Sequence, residues 1–198
     1  MKARGRLCAE AGASLVEVVL ALAVAVTVMS LAAPVTASVV DASRARQAAT
    51  FAAVRMRFAR QQAVARSAST GLVFDQTTNG WTISVCVDGN GNGLRRADLR
   101  SGRDTCLEGP FDVASLFPGV HVAVDDGIRG PDGEAPNPDP VRFGSSNLAS
   151  CSPAGTCTAG SVYFRSVKGV QYAVRLAGVT GRLRILRYDT ASRTWRET

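Results

Sequence analysis

Hydrophobic and polar residues fall into three regimes along the chain. From Val18 to Val40 there are 23 residues without a charge. As a helix rising 1.5 Å per residue, that run covers ~35 Å and exceeds a bilayer core of ~30 Å. Residues 41 to 68 are Ala-rich and lack Gly and Pro, with Phe51, Val54 and Phe58 at helical spacing for an apolar stripe. Arg44, Arg55 and Arg66, eleven residues apart, share another face that reads as solvated, the alternative being an anionic partner. Together the two regimes predict one helix from about Ser14 to Ser67, bent where Pro34 removes a backbone hydrogen bond.

After Gly71 the period changes to short β-like runs separated by turn residues. Strands are expected at 71–74, 81–88, 121–124, 141–143, 161–165, 170–176 and 182–188. In the second of these, Trp81, Ile83, Val85 and Val87 alternate with Thr82, Ser84 and Cys86, the pattern of a half-buried strand. "SVKGV" and "AGVTGR" read as hairpin turns, and the Pro-, Gly- and Asp-rich stretch 125–140 reads as a surface loop. The predicted fold class is α+β, one long helix laid against antiparallel sheet.

Charge and cysteine usage add direction. Formal net charge is +7, and 21 of the 23 basic residues are arginine. Such a balance permits nucleic acid, anionic lipid or an acidic partner without specifying one, and it also follows from genome composition alone. Cys8 precedes the uncharged run, whereas Cys86, Cys106, Cys151 and Cys157 follow it. If the run crosses a membrane, four cysteines remain on the oxidising side for two disulfides. Spacing favours Cys86–Cys106 and Cys151–Cys157, although four cysteines allow three pairings. A cytosolic metal site lacks both C-x-x-C spacing and partner histidines, since His121 is the single histidine.

Lys2, Arg4 and Arg6 precede the run, which places the N-terminus in the cytoplasm by the positive-inside rule. A plain signal-anchor is one reading of this arrangement. A secretory peptide cut after Ala37 is another, but its apolar core would be far longer than usual and Glu17 would go unexplained. A carboxylate at the mouth of an apolar run is stable only if paired.

The stretch "GASLVE" resembles the processing signal of type IV pilins and type II secretion pseudopilins. The resemblance implies cleavage by a prepilin peptidase after Gly12 and methylation of Ala13. It also implies an acid at the fifth mature position, Glu17, and a proline at the twenty-second, Pro34. Ala13 departs from the family's usual Phe. The new α-ammonium of Ala13 would pair with Glu17, in the same subunit or its neighbour, and set the register of a filament. "VCVDGNGNGLRRADLRSGRDTCL" and the closing "GSVYF…YAVRL…TGRLRILRYD…W" are similar to the GspH/FimT branch of that superfamily. The implied organisation is a basic leader at 1–12, a membrane and assembly half-helix at 13–40, an amphipathic half-helix at 41–70 and a β-rich periplasmic domain at 71–198. A single-pass bacterial inner-membrane protein of this kind partners other pilins through its N-terminal helix.

Two constellations carry candidate chemistry. Asp88, Asn90, Asn92 and Gly93 match the first half of an EF-hand-like Ca²⁺ loop, but Leu99 stands where a bidentate Glu is needed. Asp98 or Asp104 would have to substitute. The competing reading, and the favoured one, is a Gly/Asn turn with Asp88 bonded to its own loop backbone. "GRLR" places Arg182 and Arg184 two apart on a strand, with Arg187 nearby. In FimT-like minor pilins a G-R-x-R motif is associated with DNA binding, which would here be sequence-blind and salt-sensitive; a solvated strand face is the alternative. No nucleophile motif, phosphate loop or metal-ligand cluster is present, so neither enzyme activity nor a cofactor is expected. The sequence points to a structural subunit of a type II secretion pseudopilus or type IV pilus. The alternatives are a DNA-uptake minor pilin and a membrane-anchored periplasmic domain outside any filament.

Overall fold

The computed structural model describes residues 14–198, and of residues 31–35 only the backbone. Gly12 and Ala13 lie outside the described residues, as does the side chain of Pro34. The chain divides into two units, residues 1–39 and 40–198. Helix α1 runs over Leu15–Arg66, within one residue at each end of the predicted span.

In the first unit the described part of α1 is apolar and exposed on every side. Leu15, Val16, Val18 and Val24 are 82%, 70%, 47% and 55% exposed, and at about 100° per residue these four point to four different sides of the axis. Glu17 is the acid of its first turn. Among the described residues no helix is long and apolar enough to cross a membrane. The expected span over 13–40 falls partly on residues 31–35, so that only 18–30 and 36–40 of the uncharged run carry described side chains.

The second unit is α+β, with the latter part of α1 packed on antiparallel sheets. The chain continues through β1 (Thr70–Thr77), β2 (Gly80–Val87), α2 (Arg96–Ser101), β3 (Thr105–Asp112), α3 (Val113–Leu116), β4 (Val120–His121) and β5 (Val141–Arg142). It ends with β6 (Leu148–Cys151), β7 (Gly160–Ser166), β8 (Gln171–Leu176), β9 (Leu183–Asp189) and β10 (Thr194–Glu197). One sheet has the order β3-β2-β1-β6; the other has β10-β9-β8-β7-β4, with β5 also pairing β7. Each of the seven expected strands corresponds to a strand of the structure, the 121–124 run reduced to β4.

The helix meets the sheets through alanine. Ala45, Ala48, Ala49, Ala52, Ala53, Met56, Ala59 and Ala63 are all buried, spaced three and four residues apart on one stripe. They share one buried core with Leu72, Phe74, Ile83, Val162 and Val174 of the two sheets, and side chains this small leave little bulk between helix and sheet. The expected stripe of Phe51, Val54 and Phe58 is corrected accordingly: Val54 is 50% exposed, and Phe51 and Phe58 only flank the core. Bulk drew the sequence pattern toward the aromatic residues, while close packing selected the methyl groups. Phe74 of β1 stacks on Phe143 at 5.7 Å and ties the two sheets together.

Loops then cover the outer faces. Leu94 and Leu99 pack over Val73, Cys86 and Leu148, so Cys86 is buried although alternation had assigned it to solvent, and Ser84 on the same face is buried too. On the other sheet, Tyr163, Ala173 and Leu186 are covered by Val124 and Trp195. Both disulfides belong to the first sheet, at its two ends: Cys86–Cys106 joins β2 to β3, and Cys151–Cys157 closes the turn after β6. Both pairings favoured by spacing are the ones present.

Candidate functional site

Asp88 follows β2 and is buried, with its carboxylate turned into its own loop. Oδ1 accepts the backbone N–H groups of Asn90 at 3.0 Å and Gly91 at 2.9 Å, and Oδ2 accepts that of Gly93 at 2.7 Å. Asp104 repeats the device, accepting Gly89 N–H at 3.1 Å and Arg95 N–H at 3.0 Å. Asp98 accepts the Asn92 side-chain amide at 2.9 Å and pairs with Arg103 at 3.3 Å. The Asn92 hydrogen bond is the main reason the Asp98 carboxyl lies below its ordinary value, outweighing the opposing effect of desolvation.

The glycines serve the same turn. A Cβ on Gly89 would fall 2.0 Å from the Arg103 carbonyl oxygen, and Gly93 adopts φ +89°. Arg96 anchors the loop's far side, donating to Asp75, to the Phe74 carbonyl at 2.6 Å and to the Ser146 carbonyl. The Asp88 oxygens are thus largely committed to the polypeptide, Asn90 Oδ1 accepts the Asn92 backbone N–H at 3.2 Å, and the Asn92 side-chain amide is committed as a donor to Asp98. Among the described residues, no group of three or more His, Cys, Asp or Glu side chains is placed to hold an ion. The arrangement is that of a loop closed by carboxylates on backbone amides.

The basic strand face is organised differently from the expectation. Arg175 of β8 and Arg184 of β9 stand directly opposite in the strand register. Two like charges in that position repel, and Asp132 of the 125–140 loop lies between them. Its carboxylate is 2.7 Å from Arg175 Nη2 and 2.8 Å from Arg184 Nη2, with Glu134 a further 3.4 Å from Arg175. Desolvation would raise the Asp132 carboxyl, but the two guanidinium groups outweigh it and hold the group below its ordinary value. Arg142 lies over the Tyr163 ring at 4.4 Å and Trp195 Nε1 donates to the Arg129 carbonyl at 2.8 Å, so aromatic and arginine side chains hold the loop at several points. Burial is the chief cause that pushes the Tyr163 hydroxyl above its ordinary value.

Arg182, Arg184 and Arg187 are consequently not one surface. Arg182 precedes β9 and is exposed, 3.6 Å from Glu197. Arg184 is engaged by Asp132. Arg187 has the opposite parity on β9 and stands across from Tyr172 and Arg196. The helical arginines also divide: Arg44 and Arg66 are exposed, but Arg55 is half-buried. Arg55 pairs with Glu108 of β3, and its guanidinium lies 5.2 Å from the Phe51 ring and 4.9 Å from that of Phe111. The acidic counterparts, Glu108 and Asp132, carried no sequence signal beyond being acids in an Arg-rich chain. No family model, no curated protein and no solved structure matches this chain.

Proposed function

We propose that the protein is a minor pilin-like structural subunit of the GspH/FimT type, incorporated into a type II secretion pseudopilus or type IV pilus. The observation that carries this reading is the first part of α1. Between Leu15 and Met29 its described side chains are exposed and apolar apart from Glu17, the acid of the first turn, and Thr27, whose hydroxyl donates to the Ala23 carbonyl at 2.7 Å. A helix apolar all round requires cover, either lipid or other helices of its kind. An N-terminal leader ending at Gly12 supplies the processing site that would convert a membrane precursor into a subunit, and Glu17 would pair with the new α-ammonium of Ala13. On this reading the chain is a single-pass inner-membrane protein with a periplasmic α+β domain, processed by a prepilin peptidase and partnered by other pilins.

The DNA-uptake alternative draws less support, because Arg184 is already engaged and Arg187 faces away from it. The testing experiment is N-terminal mass spectrometry of the protein recovered from bacterial membranes. A chain beginning at methylated Ala13 is expected; one beginning at Met1 or Ser38 overturns the proposal.

A further inference from the structure

One end of the second unit carries a surface suited to lipid headgroups. Asp41 follows the last uncharged residue, Val40, directly in the chain. Its Oδ2 accepts the backbone N–H of Lys168 at 3.2 Å, which fixes the β7–β8 turn beside the helix at that level. One turn further along, Arg44 donates to the Pro118 carbonyl at 3.4 Å and fixes the segment after α3. The two segments are joined by the Val167 N–H on the Gly119 carbonyl at 3.1 Å. From this joined edge Val167 and Leu116 extend into solvent, 65% and 47% exposed, with Lys168 and Arg44 also exposed.

We propose that this edge is a docking surface for an anionic lipid bilayer. The inference rests on the membrane reading given under Proposed function. If the uncharged run ends at the hydrocarbon boundary, Asp41 and Arg44 lie within the interfacial layer, about 5–7 Å deep, because Arg44, four helical residues past Val40, is only ~6 Å beyond it. Segments bonded to those two side chains lie in the same layer. The chemistry suits it: two apolar tips to enter the headgroup–acyl boundary, and an ammonium and a guanidinium to meet lipid phosphates. Two acids lie at this edge and both are used internally: Asp41 accepts Lys168 N–H, and Asp112, at the start of α3, accepts Ala114 N–H and the Ser115 hydroxyl.

The test uses the full chain with Cys8→Ser, since the other four cysteines are in disulfides. Single cysteines replacing Leu116, Val167, Val179 or Val28 carry an environment-sensitive nitrobenzoxadiazole label. Val179 is 87% exposed in the β8–β9 turn and serves as the water reference. The protein is reconstituted in phosphatidylcholine vesicles with and without phosphatidylglycerol. With phosphatidylglycerol, labels at 116 and 167 are expected to emit severalfold more brightly and further to the blue than the label at 179. Lys168→Glu is expected to abolish most of that difference. Labels at 116 and 167 that match 179 while the label at 28 reports lipid would overturn the docking surface alone. A label at 28 that also reports water would overturn the membrane reading together with this inference. Equal signals in the two vesicle types would overturn the anionic requirement, and shielding lost on dilution in the bilayer would reassign the edge to a second copy of the chain.

Discussion

Arg175 and Arg184 face each other across adjacent strands of the second sheet, and the carboxylate of Asp132 is the group that makes this pairing tolerable. A loop read from sequence as surface turn is therefore part of the sheet's electrostatics. Replacing Asp132 by Asn is expected to return the Arg–Arg repulsion, to release Arg184 and to leave Arg175 with Glu134 alone. The carboxylate is 42% exposed, so solvent screening limits the stability loss to about 1 kcal/mol or less. Its depressed pKa gives the sign of the pH dependence: the contribution is complete above the unfolded-state value of about 3.9 and disappears as pH falls through the lower folded value. Urea denaturation at neutral and acid pH should show the wild-type advantage over Asp132→Asn shrinking in acid. The variant should also elute later from a heparin column, with a steeper salt dependence.

Arg55 separates the helical arginines into two kinds. Arg55→Ala removes a half-buried ion pair with Glu108 and two cation–π contacts, a loss of about 1–2 kcal/mol. Arg66→Ala, at an exposed position whose partner is Gln62 on the same helix, should change stability by about 0.5 kcal/mol or less. Equal effects in thermal or denaturant unfolding would count against the helix-to-β3 latch.

What was legible in the sequence followed from periodicity and spacing. The change of period near Gly71, the alternating strands and the disulfide spacing each correspond to an element of the structure. Strand β3, "TCLEGPFD", was missed because it lacks alternation and is interrupted by Gly109 and Pro110. Strand β10 was missed because "TWRE" is polar; it is held at the sheet edge by Trp195 packing on Tyr163 and Tyr188. The outer-face coverage of both sheets was illegible for a different reason. It depends on loops distant in sequence, Leu94 over Val73 and the 125–140 segment over Arg175 and Arg184. Local pattern contains no information about such a return.

The alanine face yields a packing prediction. Ala52 is fully buried in the core shared with the sheets, so Ala52→Leu inserts atoms into filled space and should cost about 1–3 kcal/mol. Val54→Ala, at a position half exposed, should cost well under about 1 kcal/mol. A reversed order in chemical denaturation would restore the Phe51–Val54–Phe58 stripe as the buried one.

The two disulfides should differ in weight. In the chain-entropy picture, the Cys86–Cys106 link closes a loop of 20 residues and contributes about 3 kcal/mol, against about 2 kcal/mol for the six-residue Cys151–Cys157 loop. Paired Cys→Ser variants compared by urea midpoint at fixed m-value give the ordering directly. A larger loss for Cys151→Ser/Cys157→Ser would mean that native contacts of the β6 turn, rather than loop length, set the effect.

The Asp88 loop separates a structural carboxylate from a cation ligand. Three backbone N–H groups depend on this one side chain, and the residue is buried. Asp88→Ala strands those donors and should cost about 2–3 kcal/mol, because hydrogen bonds to a charged acceptor are at the strong end and unpaired buried donors are costly. Asp88→Asn keeps one oxygen for the turn but loses the acceptor for Gly93 or for the Asn90–Gly91 pair, so its loss should be intermediate. If these oxygens serve the backbone, adding Ca²⁺ to chelator-treated protein should raise Tm no more than adding Mg²⁺. If they serve a cation, the wild type should gain several degrees with Ca²⁺ alone, and the gap to Asp88→Ala should widen only when the ion is present. With three of the roughly four lone-pair sites of the Asp88 carboxylate already taken by the N–H groups of Asn90, Gly91 and Gly93, the first result is expected, and it would fix the D-x-N-x-N-G pattern in this chain as a turn built to bring Leu94 over the sheet.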